Sequence, residues 1–234
     1  MAGEHDRATD AAALAWWVEA GVDVAVSETP RNWLASAAEV TVGAVTAPPA
    51  PAETPAVVHE DLGAFRHWLS SEPGLPLDRA GAKRVLPHGI EQAEIMFLSD
   101  APGREDGDQP IGGEAWALTV RMLAAIGFAP SQAYSASLAC FDAPGTKMTP
   151  SEIAACAEIA RKHIALAKPK RLVLLGDGPV RALLGEPLLR ARGRAHKVEG
   201  VRTVATIHPR QLLTRPSDKA HVWRDLLLLM EEDL

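Results

Sequence analysis

Two side chains in this sequence stand where chemistry can be done. Asp100 follows Ile95-Met96-Phe97-Leu98, four consecutive apolar residues of the kind that form a buried strand in a parallel sheet. After it, Ala101-Pro102-Gly103 stops the ladder and turns the chain. His208 follows Val204-Ala205-Thr206-Ile207 and is locked in front of Pro209. Ligands of open α/β sheets bind outside the carboxyl ends of strands. The pattern therefore predicts a carboxylate and an imidazole at one sheet edge, lining one cleft. A fixed carboxylate can orient water or stabilise positive charge, and a fixed imidazole can act as an acid or an electrostatic stabiliser. The plainer alternatives are an ordinary turn at Asp100 and a structural histidine at position 208. Other histidines, such as His67, His88, His163, His196 and His221, have no such placement, and no metal-ligand spacing emerges. Gly176-Asp177-Gly178 reads as a tight turn into a helix rather than a phosphate loop.

The elements that must hold these groups alternate along the chain. The apolar pattern predicts helices over 59–70, 114–126, 150–167, 177–184 and 218–231. It predicts strands over 94–99, 133–140, 170–175 and 201–207, and a loop over 71–93. Thr149-Pro150-Ser151-Glu152 reads as a helix start, with Thr149 as cap and Glu152 closing a capping box. Strands separated by helices imply right-handed crossovers. The expected fold is a three-layer α/β/α domain around a four-stranded parallel sheet. Residues 1–43 read as a helical arm carrying Trp16 and Trp17, residues 44–57 as a Pro/Ala-rich linker, and residues 58–234 as the α/β/α domain.

Composition narrows the setting. The chain has 234 residues, 47% of them hydrophobic, enough for a substantial core. No run approaches the ~20 apolar residues that span a bilayer. Two cysteines do not make a disulfide framework, so a cytoplasmic protein without a membrane partner is expected. The net charge of −6 is unevenly placed: residues 1–60 hold two basic residues against nine acidic ones, leaving 22 against 21 for the remainder. An anionic ligand on the main body is therefore not excluded.

The order of short segments resembles the uracil-DNA glycosylase superfamily, most closely its thermostable family 4 branch. The family's Gly-Glu-Ala/Gly-Pro-Gly after a strand stands here as Ser99-Asp100-Ala101-Pro102-Gly103. Its Pro-Phe-Val-Gly stands as Pro110-Ile111-Gly112-Gly113. A Cys…Thr-Pro-x-Glu-x-x-x-Cys segment appears as Cys140 followed by Thr149-Pro150-Ser151-Glu152 and Cys156. The closing His-Pro-x-x-Leu-Leu-x-x-Pro segment runs from His208 to Pro216, followed by Lys219 and Trp223-Arg224-Asp225-Leu226. The likeness covers roughly residues 80–234.

The resemblance implies an enzyme that cleaves the N-glycosidic bond of uracil or another deaminated base in DNA, as a monomer. Asp100 takes the place of the family carboxylate, stabilising the sugar cation or orienting water, and His208 donates to O2 of the leaving base. Ala101, Gly103, Ile111, Ala136 and Ser137 fall at base-binding positions. Arg210, Leu212, Leu213, Thr214 and Arg215 match the loop that enters the minor groove. Arg190, Arg192, Arg194 and Lys197 form either a phosphate-binding face or a solvated one. Two departures weaken base readout: Ile111 replaces a stacking phenylalanine, and Ala136 replaces a base-reading asparagine. The family's iron–sulfur cluster takes four thiolates. This chain has only Cys140 and Cys156, so no cluster, metal or other cofactor is expected. The competing readings are a non-catalytic DNA-binding or damage-sensing module on the same fold and, more distantly, a nucleoside hydrolase.

Overall fold

The computed structural model describes residues 59–142 and 148–231. The arm expected over 1–43 and the linker over 44–57 lie outside the described residues. In chain order the strands are β1 (Lys83–Arg84), β2 (His88–Gly89), β3 (Ile95–Ser99), β4 (Ala133–Ser137), β5 (Phe141–Asp142), β6 (Arg171–Leu175), β7 (Ala195–Val198) and β8 (Val201–Thr206). The helices are α1 (Leu62–Ser71), α2 (Gly113–Ala125), α3 (Pro150–Ala167), α4 (Asp177–Leu184), α5 (Leu188–Ala191), α6 (Pro209–Thr214) and α7 (Lys219–Met230).

Four parallel strands form the centre of the main sheet, in the order β4-β3-β6-β8. The sheet is larger than the four strands expected, because an antiparallel strand closes each edge, β2 against β4 and β7 against β8. β2 lies in the stretch read as loop. β7 and β8 form a hairpin whose two turn residues, Glu199 and Gly200, both have positive φ, 50° and 79°. This geometry matches the right-handed twist of the strands and favours glycine at the second position. β1 and β5 make a separate two-stranded ladder.

Successive strand residues point to opposite faces, and each face has its own core. Met96, Leu98, Leu172 and Leu174 pack with Phe65 of α1, Ile164 of α3 and Val180 of α4. Ile95, Phe97, Val173 and Leu175 pack with Leu118 of α2 and with Val222 and Leu226 of α7. The result is three layers. Thr149 caps α3 by accepting from Glu152 N–H at 3.2 Å, while the Glu152 carboxylate takes the Thr149 N–H at 2.8 Å, the reciprocal bonds of a capping box.

The chain leaves β3 for β4 on one side, then returns through α3 to β6 on the other. The switch point of the sheet therefore lies between the carboxyl ends of β3 and β6, where α/β folds open a crevice.

In the first of the two cores, Tyr134 Oη and His163 Nε2 lie 2.7 Å apart and buried. Burial, with a smaller contribution from Arg66, lowers the His163 pKa to about 3. His163 is neutral when folded but takes a proton below about pH 6.5 when unfolded. Stability is thus intact above that pH and falls as the pH drops through the window toward 3. Thermal unfolding between pH 7.5 and 4 is expected to show this loss, with a shallower slope in His163→Gln.

Candidate active site

Asp100 sits just past β3, at the switch point. Two glycines of the β6–α4 turn make room for it. A Cβ on Gly176, whose φ is +91°, would lie 3.5 Å from the Asp100 carboxylate. A Cβ on Gly178 would lie 2.8 Å from the Asp100 Cβ, too close for either backbone to stay in place. Burial raises the Asp100 carboxyl above its usual range, opposed by its own N–H, by Arg210 and by the Ala101 N–H. We expect Gly178→Ala to displace Asp100 and slow the reaction roughly 10- to 100-fold, with the protein still folded. A single-turnover rate beside a melting curve checks it.

His208 follows β8, one strand beyond β6 from Asp100, so both groups occupy the same edge of the sheet. It caps α6, its Nδ1 accepting the Arg210 N–H at 3.1 Å. That bond places the proton of a neutral ring on Nε2. The side chain is 4% exposed, and Nε2 is buried without a hydrogen-bond partner among the described residues. Burial and the Arg210 cation lower its pKa to about 4, against a smaller opposing effect of Asp106. At neutral pH the imidazole is an uncharged donor with nothing to donate to.

Asp106 organises this edge, although in the sequence it looks like one more solvated acid in a polar loop. Its buried carboxylate accepts the N–H of Gly103 at 2.7 Å and of Gly112 at 2.9 Å, and pairs with the Arg210 guanidinium. One group thereby ties together the turn carrying Asp100, the Pro110–Gly113 entry to α2, and the first turn of α6. Gly112 has no room for a side chain: a Cβ there would lie 2.0 Å from the Asp106 carbonyl oxygen.

A family model of the uracil DNA glycosylase superfamily matches residues 86–227, which include both strand ends and Asp106. The chain belongs to the uracil DNA glycosylase superfamily. It is 29% identical to a type-4 uracil-DNA glycosylase of Archaeoglobus fulgidus over 141 residues, 55% of this chain and 71% of that protein. To a type-4 uracil-DNA glycosylase of Pyrobaculum aerophilum it is 24% identical over 182 residues, 72% of this chain and 92% of the relative.

Within this uracil DNA glycosylase fold, the residues singled out by the resemblance separate into two groups. Ala101 and Gly103 are half-buried around the Asp100 turn, and Ser137 is half-buried at the end of β4, paired in register with Ser99. Leu213, Thr214 and Arg215 are exposed. In contrast, Ile111 and Ala136 are both 0% exposed and Leu212 is 1% exposed. Ile111 and Leu212 pack in the α2–α7 core, Ala136 in the core under α1, α3 and α4. These three side chains are packing groups rather than open contact surfaces, a correction to the expected base and groove contacts. Residues 209–214 form helix α6 rather than a loop, and the amphipathic turn directs Leu212 inward.

The cations are corrected in the same way. Arg210 is held by Asp106, Arg192 by the buried Asp225, and Arg194 by Glu186. Asp225 also accepts the Thr206 hydroxyl at 2.6 Å and the Gly193 N–H at 3.3 Å. This gives the aspartate of Trp223-Arg224-Asp225-Leu226 its physical role, fastening α7 to the end of β8.

Cys140 and Cys156 line one cavity of about 20 Å³, room for about one water, walled by Leu69, Leu75, Val85 and Ile159. Burial pushes their thiols up to about 11 and about 12. A metal cluster needs thiolates, and among the described residues no group of three or more His, Cys, Asp or Glu could hold a metal ion. The residues present do not fit a four-thiolate iron–sulfur cluster. No helix among the described residues is long and apolar enough to cross a membrane.

Proposed function

We propose that this protein is a DNA glycosylase that removes uracil or another deaminated base and leaves an abasic site, acting as a monomer without an iron–sulfur cluster. The observation that carries this reading is the neutral His208, whose buried Nε2–H is unmatched on the edge that holds Asp100. As the glycosidic bond stretches, the leaving base gains negative charge. A fixed, desolvated donor then stabilises the transition state more than the ground state. The sugar gains positive charge, which the Asp100 carboxylate offsets while orienting water. Arg210, held against Gly103 by Asp106, supplies positive charge near both groups.

The test is abasic-site formation on oligonucleotides carrying uracil, hypoxanthine or xanthine. Cleavage of at least one supports the proposal, and DNA binding without any excision defeats it. A non-catalytic DNA-binding module is the second reading. It is favoured by the burial of Ala136 and Ile111, which leaves base recognition to backbone groups near Ala101 and to Ser137.

A further inference from the structure

Single exposed apolar side chains are ordinary on protein surfaces, so exposure alone says little about Leu189. It is nevertheless the most exposed large hydrophobic residue among those described, at 88%, and its backbone is held at several points. At one end of its segment, the Leu188 N–H bonds to the Asp177 carboxylate at 2.9 Å. Asp177 lies between Gly176 and Gly178, the two glycines that flank Asp100. At the other end, Arg192 and the Gly193 N–H are bound by Asp225, which also holds Thr206, two residues before His208. The segment then enters β7 opposite Val204, near the carboxyl end of β8. The 188–194 segment thus runs along the edge that carries Asp100 and His208, anchored beside each.

Local charge selects the partner. The carboxylates of this edge each take an arginine: Asp177 takes Arg181, Glu186 takes Arg194 and Asp225 takes Arg192. Arg190, next to Leu189, is exposed and has no ionic partner among the described residues. An apolar tip with a cation beside it suits a stacked, phosphate-lined duplex, where apolar wedges enter between bases and arginines meet phosphates.

We propose that Leu189 is the wedge this protein inserts into duplex DNA beside the extruded nucleotide, with Arg190 on a neighbouring phosphate, while the buried Leu212 serves the core. This rests on the glycosylase reading. A wedge holds open a stack that single strands lack, so its loss is specific to duplex.

The experiment compares single-turnover excision from duplex and single-stranded uracil oligonucleotides by wild type, Leu189→Ala, Leu189→Phe and Leu213→Ala. Fluorescence anisotropy on a duplex with a tetrahydrofuran abasic analogue accompanies it. Leu189→Ala is expected to lose roughly tenfold in duplex excision and in analogue affinity, to stay within about twofold on single strands, and to be restored by phenylalanine. Equal loss on both substrates, no loss on either, or a duplex-specific loss in Leu213→Ala alone overturns the proposal. If the wild type excises no base, the glycosylase reading has failed. Analogue affinity then decides the wedge separately: a Leu189→Ala protein that binds like wild type overturns it.

Discussion

His208→Ala is expected to lower single-turnover base excision by roughly 10²–10³, the usual effect of removing one preorganised donor to a developing anion. DNA affinity should stay within about twofold, because the bond to the leaving base strengthens as charge develops. The pH dependence adds a second signature. With a pKa held down to about 4 by burial and Arg210, His208 is neutral throughout the neutral range. Its titration should therefore contribute no step between pH 5 and 8. The acid limb of the rate belongs to Asp100, which must be ionised, and whose carboxyl burial lifts above the usual range. An alanine variant that excises at the wild-type rate, or a histidine-like step near pH 6.5 in the wild type, would remove His208 from catalysis.

Asp225→Ala is expected to destabilise the protein by about 3–5 kcal/mol, the usual result of breaking a buried ion pair by deleting one partner. It leaves Arg192 without its counter-ion and removes the acceptor for the Thr206 hydroxyl and the Gly193 N–H. For a chain of this size that corresponds to a fall in melting temperature of roughly 10 °C. The penalty comes largely from the stranded cation. Asp225→Ala combined with Arg192→Leu should therefore recover part of the loss, and two additive losses would contradict this account. Calorimetry on the single and double variants decides between them.

Much of the scaffold was legible in the sequence because its determinants are local. Ile95 to Leu98 and Leu172 to Leu175 are apolar at every position, as strands covered on both faces must be. Thr149 and Glu152 announce α3 through bonds spanning three residues. Proline and glycine after the strands placed Asp100 and His208 at strand ends. The edge strands were less legible. β2 has two residues, and the β7 hairpin declared itself only through Glu199-Gly200.

The tertiary structure decided how the edge is assembled, because that depends on groups far apart in the chain. Asp106 meets Arg210 across 104 positions and Arg192 meets Asp225 across 33. No local pattern distinguishes such a carboxylate from a solvated one. Leucine at 212 and at 189 looks equally apolar in the sequence. Only the packing of α6 against α2 buries the first, and only the anchoring of 188–194 to Asp177 and Asp225 holds the second out in solvent. Propensity and capping act over a few residues, whereas burial and charge pairing are set by whatever the fold brings alongside.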